Sequence, residues 1–159
     1  MTTEKRIADL EKQASEHLAG RPVKVIWDRQ GPTASGVGEV TKSFSNELII
    51  YIAPLDDLKS RYGCWLHEIS HIRNGDHKFV SRGSANRPAR SSKQSPEARA
   101  EWRADPREKA AQAQADVWEA YADRNKHKHW MVGRSEMECK LMALLEMDPS
   151  NVRPKGAIK

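Results

Sequence analysis

The chain has 159 residues, 38% of them hydrophobic and 31% charged, with two cysteines and a formal net charge of +5. That length holds one core and not two, and two cysteines are too few for a disulfide framework. No apolar run approaches the roughly 20 residues of a membrane span, and Met1 to Leu18 has no apolar signal stretch, so the expectation is a soluble, cytoplasmic protein.

Residues 3–19 read as an amphipathic helix, because Ile7, Leu10, Ala14 and Leu18 recur at intervals of three and four. Gly20 and Pro22 end it. Val23 to Trp27 is a short β-prone run. Val37 to Phe44 and Glu47 to Ala53 predict two antiparallel strands joined around Ser45-Asn46, and Pro54 closes the second. From Leu55 to Asn74 the pattern is helical, with Gly75 where a helix would stop.

Lys78 to Ala104 has no periodicity and holds seven basic residues against two acidic ones, a surplus equal to the net charge of the chain. It predicts a basic flexible loop at 78–104. A basic loop could meet phosphates, but without interleaved aromatics or a helix-turn-helix pattern it argues against nucleic acid as the partner. Asp105-Pro106 starts a helix to about Asn125, Arg134 to Met147 gives another, and 148–159 reads as a frayed tail. The order of elements predicts a single α+β domain over 1–159, with a short antiparallel sheet of about three strands.

One motif carries chemistry. In His67-Glu68-Ile69-Ser70-His71 the two histidines lie four apart, which on a helix places them on one face. Both imidazoles can then reach one zinc ion at roughly 2.0–2.1 Å, with Glu68 between them as general base toward a metal-bound water. Tyr62, Trp65, Ile69 and Ile72 form an apolar stripe on another side, so the helix is expected to bury that side and offer the histidines to a cleft.

Zinc in a catalytic site takes a third protein ligand and keeps one position open. His77 lacks the spacing of a three-histidine site. The 106–125 helix offers Glu108, Glu119 or Asp116, unless no protein carboxylate takes the position. Glu108 shares a face with Ala111, Ala115 and Trp118, and Glu119 points nearly the same way. Glu108 also fits a purely local role, since Asp105 at the N-cap, Pro106 and Glu108 make an ordinary helix start.

Leu66 to Ile72, together with Glu108-Lys109-Ala110-Ala111-Gln112-Ala113-Gln114-Ala115-Asp116-Val117-Trp118, resembles the two metal helices of the ImmA/IrrE-type zinc metallopeptidases. The likeness covers two short helices. It implies a zincin-like domain in which Glu108 is the third zinc ligand beside His67 and His71. It also implies a peptidase of bacterial or prophage type acting on a regulatory protein such as a transcriptional repressor. Many members carry an acid where this chain has Gln112.

Other readings stay open: a zinc-binding interaction module without catalysis, or nucleic-acid binding through the basic loop. Cys64 shares the histidine face and reads as a small buried thiol. His127, His129 and Trp130 read as a polar helix-end loop, and Tyr121 as a packing residue beside Trp118 with a possible oxyanion role.

Overall fold

The computed structural model describes residues 2–31, 38–43, 45–76 and 104–154. The basic loop expected at 78–104 lies outside them apart from Ala104, as do His77 and residues 155–159.

Helix α1 (Thr3–Ala19) starts on Thr2, whose side chain accepts from the Lys5 N–H, and ends at Gly20, whose N–H reaches the Glu16 carbonyl. Its inner face buries Ala14, Ser15, Leu18 and Ala19. Strand β1 (Lys24–Trp27) follows, then β2 (Gly38–Lys42) and β3 (Leu48–Ile52). β2 and β3 form the expected antiparallel hairpin, pairing Val40 with Ile50 and turning through Asn46 at φ +66°.

The sheet as a whole is not antiparallel. Its order is β1-β3-β2, and β1 runs parallel to β3 with Val25 beside Ile50. Leu48, Ile50 and Ile52 of β3 are buried on one face, while Ile49 and Tyr51 are half-buried on the other. Such a strand suits the middle of a sheet, with a neighbour on each side. Period-two patterning fixes which face is buried and says nothing about strand direction, so the sequence could not exclude the parallel partner.

Helix α2 (Leu58–Arg73) is capped by Asp57, which accepts from the Lys59 N–H and the Ser60 hydroxyl. At its far end Gly75, at φ +85°, donates its N–H to the Ile72 carbonyl and turns the chain back. Helix α3 (Pro106–Asn125) begins at Asp105, and a 3₁₀ turn (Lys126–His129) leads towards α4 (Glu136–Glu146). α4 opens with a capping box between Ser135 and Glu138. Buried Glu138 also takes two hydrogen bonds from Arg6, each 3.2 Å long.

α1 packs on β1, and α2 packs on β2 and β3, so the two cover the sheet; α3 and α4 pack on those helices in turn. One core joins all of these, from Leu18, Ile50 and Ile52 through Trp65, Leu66 and Ile69 to Trp118, Leu141 and Leu144. Inside it, the Trp65 indole N–H donates to Ser15 Oγ (2.8 Å), which itself donates to the Glu11 carbonyl.

The tail is packed as far as Val152, whose carbonyl accepts from the Gln114 amide at 2.9 Å. No helix among the described residues is long and apolar enough to cross a membrane.

Candidate metal centre

α2 is more enclosed than one apolar stripe predicts. Leu66, His67, Glu68 and Ser70 are buried along with Trp65, Ile69 and Ile72. The reason is that α3 lies along the histidine side. The face α3 turns inward is built on Ala111, Ala115 and Ala122, and small side chains allow close approach of two helices. That approach delivers Glu108 to the histidines.

Glu108 Oε2 sits 2.7 Å from His67 Nε2 and 3.0 Å from His71 Nε2. The two imidazoles meet edge to face with centroids 4.8 Å apart. Glu108 therefore occupies the first turn of α3 and also reaches across to α2, while Asp105 caps α3 by accepting from the Arg107 N–H at 2.8 Å. Glu119 and Asp116 do not join this group.

The other ring nitrogens are engaged too. His71 Nδ1 lies 2.7 Å from Asp76 Oδ2, and His67 Nδ1 lies 2.9 Å from Gln112 Oε1. Gln112 Nε2 in turn donates to Asp116 Oδ1 at 2.8 Å. With Nδ1 bound to an acceptor, each neutral imidazole holds its proton there and presents a lone pair at Nε2. Sequence reasoning missed Asp76 and the bond from Gln112 to Asp116; it tied position 112 to support of a histidine only through the acid that many members of the resembled family carry there.

His67, His71 and Glu108 each offer one ligand atom, all within 4.8 Å of one another, and the group can hold a metal ion. Two imidazole nitrogens and a carboxylate oxygen are the donor set of a three-ligand zinc site with an open position. Edges of a zinc tetrahedron are roughly 3.3 Å at zinc-ligand distances near 2.05 Å. The contacts to Glu108 are shorter than that edge and the group as a whole spans up to 4.8 Å, so its side chains would adjust to take an ion.

Without a cation, protons bridge these atoms. Burial works against the His71 imidazolium, yet the bond to Glu108, the nearby Glu68 carboxyl and the bond to Asp76 raise it to about 9. Burial likewise opposes charge on Glu108, but the bonds from both histidines hold it down at about 2. Burial raises Glu68, which opposes its ionisation more than the histidines favour it.

Glu68 is 7% exposed and lies against β2. A Cβ on Gly38 would come within 2.8 Å of Glu68 Cγ and 2.7 Å of Cys64 Sγ, so only glycine lets this strand approach so closely. Burial pushes the Cys64 thiol up to about 12, which keeps it neutral and a poor metal ligand.

The remaining candidates lie apart from the centre. Tyr121 packs against the hydrophobic core. His129 Nε2 lies 3.2 Å from Glu146 Oε2, and His127 is exposed. Trp130 is exposed as well.

Comparison with protein-family models, with curated proteins and with solved structures finds no match to this chain.

Proposed function

We propose that this chain is a zinc-dependent endopeptidase whose centre is His67, His71 and Glu108, with Glu68 as the general base. The observation that carries the reading is a buried carboxyl with raised proton affinity, placed one residue from a convergent His-His-Glu group. A zinc ion held there supplies Lewis acidity to a peptide carbonyl and to a water molecule.

The chain's own residues do the rest. His67 and His71 offer Nε2 because Gln112 and Asp76 occupy Nδ1. Glu68 takes a proton from the attacking water and passes it to the leaving amine. Burial raises its proton affinity, which makes it a stronger acceptor for the proton of the attacking water. Among the described residues β2 is the outer strand of the sheet and pairs only with β3. Its Gly38 lies against Glu68, so an extended peptide paired with that edge would pass beside the base. The resemblance in the two metal helices supports a cytoplasmic regulatory protein, such as a transcriptional repressor, as the substrate.

E68Q tests this reading. Zinc bound per chain should match the wild type, while cleavage of an unstructured protein such as casein, followed by mass spectrometry, should fall by roughly 10²–10⁴-fold. Wild-type cleavage by E68Q would sink the mechanism.

A further inference from the structure

The two histidines are held differently. His71 meets the carboxylate of Asp76 directly, whereas His67 meets the neutral amide of Gln112. A carboxylate can only accept a hydrogen bond from an imidazole. A primary amide can accept through its oxygen or, turned by 180°, donate through its nitrogen. In the turned form it would call for a lone pair on His67 Nδ1 and so put the proton on Nε2, the atom that faces Glu108.

Something must therefore fix the amide. Glu108, Gln112 and Asp116 follow one another at intervals of four along one stripe of α3. The acid at the end of that stripe accepts from Gln112 Nε2 at 2.8 Å. An ionised carboxylate has no proton to give, so the turned amide would set oxygen against oxygen. We propose that Asp116, through Gln112, is a positioning residue that holds His67 in the Nδ1–H tautomer and thereby sets the metal affinity of the centre. The proposal rests on the metal-site half of the function proposed above and is independent of peptidase activity.

The test measures zinc affinity of the full chain by competition with a chromophoric chelator, with cobalt(II) absorption as a second readout. Thermal melts of the metal-free variants verify folding. Q112L removes the acceptor and should weaken zinc binding by about 10- to 100-fold. D116A frees the amide and should weaken it less, by about tenfold. D116N keeps an oxygen that can face Gln112 and should stay closer to the wild type than D116A.

The double variant Q112E/D116A is decisive. It puts an acceptor that cannot turn directly on His67 Nδ1, and zinc affinity should return at least to the wild-type value. A merely structural role for Asp116 would not be rescued this way. Wild-type affinity in D116A, or no recovery in Q112E/D116A, would overturn the relay while leaving the metal site standing. A wild-type chain that binds neither zinc nor cobalt would overturn both.

Discussion

At the centre, protons and a cation compete for the same atoms. His71 Nε2 must shed its proton before it can bind a metal, and with its proton affinity raised to about 9 it is protonated at neutral pH. Zinc affinity should therefore climb as pH rises from 6 to 9, with proton release on binding seen by calorimetry in buffers of different ionisation enthalpy. An affinity flat across that range would contradict the assignment of His71. In the metal-free protein the sign reverses. The stabilising effect of the His71 imidazolium is complete below its ordinary value of 6.5 and is lost as pH rises through about 9. Glu108 contributes above 4.5, and its contribution is lost as pH falls towards 2. E108A should abolish stoichiometric zinc binding where E119A leaves it unchanged, read by metal analysis after dialysis. That His67 and His71 converge was legible because helical spacing alone puts them on one face. Glu108 could not be separated from Glu119 without knowing how α3 docks. Asp76 was hidden for another reason: it lies beyond the end of α2, where Gly75 turns the chain and helical periodicity no longer applies.

Among the elements, the contact between α2 and α3 decides whether the ligands meet. Ala115 is 2% exposed, in the core where α3 packs against its neighbours. A115L would overpack that contact, costing about 1–3 kcal/mol, and by moving α3 it should weaken zinc binding as well; a thermal melt and a zinc titration on one sample check both. A variant that binds zinc normally would show that α3 reaches its place without this close approach. G38A acts from the other side. Its added methyl meets Glu68 and Cys64, so cleavage should fall while zinc binding is kept. Some element boundaries were readable from caps and breakers: Gly20 for α1, Gly75 for α2 and Asp105-Pro106 for α3. Two things were not. Neither the direction of β1 nor the enclosure of α2 on a second side is local, since each depends on a partner that arrives from elsewhere in the chain.

At the scale of the molecule, the two helices that carry His67, His71 and Glu108 pack into the core that joins sheet and helices, so an ion held between them would couple binding to folding. A ligand present at 100 times its dissociation constant adds about 2.7 kcal/mol to stability. For a chain near 150 residues each kcal/mol moves the melting temperature by roughly 2–4 °C. Chelation should then lower it by roughly 5–10 °C in a calorimeter, and excess zinc should restore it. A melting temperature indifferent to chelator would mean that the centre holds no ion. The position of the centre also bears on what happens if the chain is cut. Glu108 and His71 are 37 residues apart in sequence, so a break between residues 76 and 104 divides the donors: both histidines stay with one fragment and the carboxylate goes with the other. Neither fragment alone carries the full set. A split form of this protein would act as a two-piece sensor, its halves associating more tightly as free zinc rises and loosening when a chelator withdraws it.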